Sequence, residues 1–443
     1  MTSMACLSST LRTLFTTTAD TLARESGFVK RRRKLTGSAF AQTLVFGFLG
    51  CPTATLRQLQ HTAALAGVAV SSQAISQRCA TAAADFLQAL LEAAVQTLVV
   101  GDAVALPLLQ RFAAVLVLDS TTITLPAVLR TVWRGCGGST ATAAAAVLKV
   151  QGRLDLCRGG LDFLELTDGT TSDQRAASQT APLPAGALRL SDQGFFAAAV
   201  FRTVVAAGGH FLIRPVPRLT VQVGDAPRRS LGRVLAGCRA EVLDTPVVAG
   251  GKEPLACRLI AVRVPDRVAE QRRAQEQHDA QREGRAPRPA VLALSRWTIL
   301  LTSLPAEALS VAEALVLLRL RWQIELLFKR WKSAGGQVEA WRTADPWQAL
   351  CTVYAKLLGC VVAHWLAAVR CWAIPDKSLH ALDQAIRSHA PMLVRTLARG
   401  AAALGRELRL LTAHLCRTGR LQKRRRRPAA FQLVLAPTLQ PLN

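Results

Sequence analysis

The segment Val115-Leu116-Val117-Leu118 is apolar at every position and stops at Asp119. A short unbroken apolar run of this kind marks a buried strand, because a half-solvated one would alternate. A second short strand, Leu188-Arg189-Leu190-Ser191, stops in the same way at Asp192. Alternating segments near 148–156 and 162–167 predict neighbouring antiparallel strands. A helix-like stretch over 194–206 leads into the strand Phe211-Leu212-Ile213-Arg214. The chain therefore reads as α/β. A helical region covers 1–110, and a strand-and-helix core covers 111–215. A β-rich insertion follows over 216–304, where short apolar runs are separated by Gly and Pro. The core resumes over 305–375, and 376–443 is a helical C-terminal region with a basic tail, Lys423 to Arg427. Within the insertion, 265–290 is polar and Gln-rich, so it is either an exposed helix or a disordered loop. Glu307 to Lys332 reads as one amphipathic helix without internal Gly or Pro.

Charge decides the partner class. Among 443 residues, Lys plus Arg is 55 and Asp plus Glu is 29, a net charge of +26. Half the residues are hydrophobic, which excludes disorder over the whole length. Such an excess on a folded chain points to a polyanion, most often nucleic acid, or else to a generally basic surface. Eleven cysteines include no C-x-x-C pair, and seven histidines are dispersed. Thiol or imidazole metal sites are thereby disfavoured, and a metal here should be hard and held by carboxylates. The longest apolar stretches are broken by Glu92, Asp102 and Lys356, and the first thirty residues hold no apolar signal core. The expectation is a cytoplasmic protein without a membrane span.

Near the N-terminus, Leu56 to Gly67 and Val68 to Arg78 read as helix, glycine turn, Ser cap and second helix. The second helix would present Gln73, Gln77 and Arg78 to bases and phosphates, unless the pair is an ordinary helical hairpin. The basic run Lys30, Arg31, Arg32, Arg33, Lys34 lies upstream and suits phosphate contact.

A basic chain still keeps some acids, and three stand out. Asp119 and Asp192 end neighbouring strands beside small polar residues. Glu325 lies on the late helix, with Arg321 and Lys332 near the same face. Each alone could be a cap or an ion pair. Together, three carboxylates suit Mg²⁺ or Mn²⁺, and two such ions about 3.5–4 Å apart can clamp an in-line phosphoryl displacement.

Taken as a set, these motifs resemble the DDE transposases of bacterial insertion sequences. They look nearest to insertion-sequence family four, the group that includes the transposase of transposon five. The pattern Arg, three residues, Glu, six residues, Lys is carried by Arg321, Glu325 and Lys332. Asp119-Ser120-Thr121 resembles the first catalytic Asp, and Ser191-Asp192-Gln193-Gly194 the second. Two positions depart from the pattern: Leu318 stands where the family usually has Tyr, and Gln193 where it usually has a basic residue. The resemblance implies an RNase H-like catalytic core carrying Asp119, Asp192 and Glu325 as ligands of two Mg²⁺ ions. It also implies phosphate contacts by Arg321 and Lys332, with Arg214 at the family's distance after the second Asp. Trp297 lies where the family stacks a flipped base, although a buried core residue is an equal reading. Trp322 and Trp331 read as packing residues. The implied activity is cut-and-paste transposition through a DNA hairpin, by a homodimer on transposon ends and target DNA in the bacterial cytoplasm and nucleoid. The rival readings are a catalytically silent DNA-binding descendant, a nuclease without strand transfer, and an RNA-binding protein.

Overall fold

The computed structural model describes residues 4–31, 34–135, 146–251, 254–333, 336–341, 343–417, 419–421 and 430–437. Helices α1 (Met4–Thr13) and α2 (Ala19–Glu25) are joined by a π-helical stretch, Leu14–Thr18. Helices α3 (Gly37–Gly50), α4 (Leu56–Leu65), α5 (Ser72–Arg78), α6 (Thr81–Gln96) and α7 (Pro107–Gln110) precede the first strand, β1 (Val115–Leu125). Then come β2 (Ala146–Asp155), β3 (Leu161–Asp168), β4 (Leu188–Ser191), α8 (Ala198–Ala206) and β5 (His210–Ile213). The insertion holds β6 (Thr220–Gln222), β7 (Arg229–Ser230), α9 (Leu231–Ala236), β8 (Val242–Ala249), β9 (Leu255–Arg263), α10 (Asp266–Arg282), α11 (Pro289–Leu294) and β10 (Trp297–Thr302). The chain ends in α12 (Val311–Leu320), α13 (Trp322–Lys332), α14 (Pro346–Cys371), α15 (Leu379–Arg399), α16 (Ala401–Arg417) and α17 (Ala430–Leu435). The fold is mixed α/β, and it divides into two compact units.

The first unit comprises 1–105, 120–171 and 324–422. Its spine is α14, whose 26 residues give about 39 Å at 1.5 Å per residue. Asp345 caps the first turn by accepting from the Gln348 amide at 2.7 Å, and Pro346 needs no partner there. This helix is long and apolar enough to cross a membrane by length and composition, yet its most apolar stretch is wholly buried within the protein. Lys356 does not interrupt it as the sequence suggests. Its ammonium is buried and donates to the carbonyls of Gln337, at 2.9 Å, and Ala340. Burial pulls its pKa down to about 8. Around α14 pack α3, α6, α15 and α16. The expected glycine turn and Ser cap of the helix–turn–helix are present, and the first helix carries a cap of its own. Thr55 and Gln58 form a capping box on α4, and Ser71 accepts from the Ala74 amide on α5, with Gly67 at φ +84° between them. β2 and β3 form an antiparallel hairpin in the same unit.

The second unit comprises 106–119, 172–323 and 423–443. Its strand order is β1-β4-β5-β10-β9-β8-β6-β7. β1, β4 and β5 are parallel, and every later pairing is antiparallel. Val115 to Leu118 are buried, as an unbroken apolar run requires in a sheet covered on both faces, and β4 is buried throughout although it carries Arg189 and Ser191. α8 makes the crossover between the parallel strands β4 and β5. The strands over 220–302 share one core with α8 and β5, with Phe201, Phe211, Val221, Leu259, Trp297 and Leu301 among its members.

Two segments resolve differently from their sequence reading. The polar 265–290 stretch is helical over α10 and half-anchored, because Val268, Ala269, Glu276 and Ala280 are buried. The expected helix from Glu307 to Lys332 starts only at Val311, where Ser310 and Glu313 form a capping box. It is then broken at Arg321, between α12 and α13. The basic tail, Lys423 to Arg427, lies outside the described residues.

Candidate active site

Parallel pairing fixes where the strand-end acids go. The last paired residues of β1 and β4 are Leu118 and Ser191, and those of β4 and β5 are Ser191 and Ile213. The next residues are Asp119, Asp192 and Arg214. Adjacent strands lie about 4.8 Å apart, so two carboxylates and a guanidinium stand side by side just past the parallel pairing, although β1 itself runs on to Leu125 and so does not end at Asp119 as its sequence suggests. The carboxyl end of parallel strands is where open α/β sheets bind their ligands.

The surroundings of the two acids differ. Asp119 keeps 19% of its side-chain surface and lies 3.5 Å, Oδ2 to Nη1, from Arg321. Arg321 is itself buried, so its charge sits close to the carboxylate with little water to screen it. Asp192 begins a short 3₁₀ turn, Gln193–Phe195, without capping it through its side chain. Phe195 anchors that turn by packing on Leu118 and Ala176. Among the described residues, nothing donates a hydrogen bond to the buried Asp192 Oδ1. An orphaned carboxylate oxygen in the interior is costly unless a cation or donor meets it. Asp173 approaches the same turn, since a Cβ on Gly194 would lie 3.2 Å from its Oδ2. Nothing in the sequence singles out Asp173, which stands in a polar loop with no strand or helix context.

Glu325 occupies the first turn of α13 and is half-buried. The helix is held by Ile324, Leu327, Phe328 and Trp331, spaced i, i+3, i+4 and i+7 on one buried face. Phe328 packs where β2 has Gly152, and a Cβ there would lie 3.1 Å from its ring. Lys332 ends the helix and pairs with Glu339 at 3.2 Å. Among the described residues, no three His, Cys, Asp or Glu side chains form a ready-made metal cage.

The expected DNA contacts divide. Gln73 and Gln77 are exposed on α5 one turn apart, and Arg31 and Arg214 are exposed. Arg32 and Arg33 lie outside the described residues. Arg78 corrects its sequence reading. Its guanidinium donates to the Phe28 carbonyl at 2.5 Å and lies 4.1 Å from the Phe28 ring centre, so it ties the N-terminal helices together instead of facing outward. Trp297 takes the core role of its two readings. It is 6% exposed, Arg263 covers its ring at 4.6 Å, and Arg272 donates to its carbonyl at 2.9 Å. A base could stack on that ring only after Arg263 moved away. Trp331 packs as expected, whereas Trp322 is 49% exposed and is not a packing residue.

Comparison with known proteins adds the relationship. Residues 110–358 match the family described as the transposase DDE domain. The chain is 23% identical over 443 residues to the transposase for insertion sequence element IS231B of Bacillus thuringiensis subsp. berliner, covering 93% of this chain and 91% of that one. It is 28% identical over 352 residues to the transposase for insertion sequence element IS421 of Escherichia coli, covering 76% and 87%. The putative transposase InsL for insertion sequence element IS186A of Escherichia coli strain K12 is equally similar, at 28%.

Proposed function

The chain belongs to the DDE transposases, and we propose that it mobilises an insertion sequence by cutting the element's ends and joining them to target DNA. In this reading the parallel strands belong to an RNase H-like core. Asp119 and Asp192 are its first two catalytic carboxylates, and Glu325 is the third. The observation that carries the reading is the placement of Asp119 and Asp192 one residue beyond the paired ends of adjacent parallel strands. The orphaned Asp192 Oδ1 and the all-oxygen donor set fit a hard divalent cation such as Mg²⁺ or Mn²⁺. Bound there, such ions would supply positive charge that offsets the negative charge developing on a phosphate under attack.

The chain's own residues do the positioning. Arg321 holds the Asp119 carboxylate, and its planar guanidinium suits a phosphate oxygen once DNA is bound. Glu325 follows it by four residues, at the start of a helix whose buried face fixes its direction. Arg214, exposed beside Asp192, can hold the scissile strand by its backbone. Lys332 is a second phosphate contact, a point charge that Glu339 steadies in the absence of DNA. Gln73, Gln77 and Arg31 are the candidates for reading the element's end. The released 3′-OH attacks the opposite strand to form a hairpin, which is reopened before target joining, and two copies act together because two ends are joined.

The test is a cleavage and strand-transfer assay on the element's own terminal DNA with Mg²⁺ or Mn²⁺, comparing the protein with Glu325→Gln. Nicks, hairpins and joined products that vanish in the variant are expected. Specific end binding with no cleavage by either protein would overturn the enzyme reading and leave a catalytically silent DNA-binding protein.

A further inference from the structure

The helical hairpin α15–α16 carries its charges asymmetrically. Over 379–417 it holds six arginines and two acids, Asp383 and Glu407. Both acids are buried. Asp383 is held by Arg330, whose Nε donates at 2.8 Å and whose Nη2 donates at 2.5 Å. Five of the six arginines point outward: Arg395 and Arg399 on α15, and Arg406, Arg409 and Arg417 on α16. Arg395, Arg399, Arg406 and Arg409 form no ion pair among the described residues.

Helical geometry gathers these residues into stripes. Arg395 and Arg399 are four apart, so they share one face of α15. Arg406, Arg409 and Arg417 fall at 0°, −60° and +20° around α16 and run along about 16 Å of it. Like charges at such spacings repel and weaken a helix. That repulsion is relieved by a partner carrying regularly spaced negative charge.

We infer that the outer face of α15–α16 is a docking surface for the phosphodiester backbone of duplex DNA, held by Arg395, Arg399, Arg406 and Arg409 without regard to base sequence. Guanidinium groups match phosphate geometry and remain charged at any physiological pH. The same charges oppose a second use of this face. Two copies related by a two-fold axis would press arginine on arginine, so the stripe does not suit self-pairing of the C-terminal helices. The inference rests on the chain acting on DNA and adds a surface on helices remote in sequence from the strand-end acids.

The experiment measures binding of the full-length protein to a duplex of unrelated sequence across a salt series, in parallel with cleavage of the element's ends. Neutralising the stripe with R395Q, R399Q, R406Q and R409Q together should lower the magnitude of the log affinity against log salt slope by about three to four, near 0.9 per lost phosphate contact. A companion with lysine at the same four positions should keep the wild-type slope, and circular dichroism should be the same for all three proteins. An unchanged slope in the glutamine variant, with end cleavage intact in the wild type, would overturn this inference and leave the transposase reading standing. A change of oligomeric state with unchanged duplex binding would likewise overturn it and assign the face to pairing between copies.

Discussion

Within the second unit, the parallel and antiparallel parts of the sheet treat charge in opposite ways. Just past their parallel pairing, β1, β4 and β5 carry Asp119, Asp192 and Arg214, and among the described residues the Asp192 Oδ1 is buried without a hydrogen bond. In the antiparallel part, buried charge is closely matched. Arg258 grips Asp244 through two bonds of 2.6 Å and also donates to the Leu309 carbonyl at 2.6 Å. The buried carboxylate of Glu276 accepts from Arg285 at 2.7 Å and from Arg288 at 2.8 Å. A carboxylate kept in the interior without full compensation lowers stability, and such sites persist where ligand binding or chemistry needs them. The contrast separates carboxylates held by arginine, which build the fold, from the Asp192 oxygen that no described donor meets.

The sharpest way to break this contrast is to neutralise one acid of each kind. Asp192→Asn should reduce strand cleavage by at least about a thousandfold, or about 4 kcal/mol of transition-state stabilisation. It should leave the metal-free melting temperature unchanged or slightly higher, because Oδ1 accepts no hydrogen bond from any described residue. Single-turnover cleavage and thermal melting in chelator give both numbers. A variant that cuts like the wild type would remove Asp192 from the site.

Arg258→Ala should do the reverse. It removes a bidentate partner of Asp244 and leaves the Leu309 carbonyl without its donor. The expected loss of stability is about 2–4 kcal/mol, with cleavage per folded molecule unchanged. Urea unfolding followed by active-site titration separates the two effects. A large loss of cleavage at unchanged stability would mean that the insertion's charges serve the reaction directly.

How much of this contrast is legible in the sequence follows from range. The buried apolar strands and the Ser71 cap are local patterns: β4 stops before Asp192 and Ser71 caps its helix as that reading has it, whereas β1 runs past Asp119 to Leu125. The break at Arg321 is not local. Apolar periodicity runs straight through it, and only the fold shows that its side chain meets Asp119, about 200 positions upstream. Arg78 turns inward, and Trp297 takes the core one of its two readings, for a similar reason. Phe28 and Arg263 cover them, and no spacing rule announces either partner. The composition of α10 is that of a solvated chain, and it is four buried residues that hold it as an anchored helix. Lys356 misleads in the opposite sense. A lysine argues against a buried apolar helix until the carbonyls of Gln337 and Ala340 are seen to receive it.

The smallest expected effect sharpens the comparison through pH. Hydrogen bonds from Arg288 and then Arg285 hold the Glu276 carboxyl well below its ordinary value near 4.5. A group whose pKa is depressed by folding contributes stability above its unfolded pKa and loses it as pH falls through the folded one. Wild type and Glu276→Gln should therefore differ most in melting temperature near neutral pH, by on the order of a few degrees. The gap should narrow as pH drops below about 4.5, because the unfolded chain then takes up a proton that the folded protein still refuses. A gap independent of pH between 3 and 7 would show that Glu276 supports the insertion by shape and hydrogen bonding alone. The division between matched and available charge would then rest on Arg258 and Asp244 in this half of the sheet.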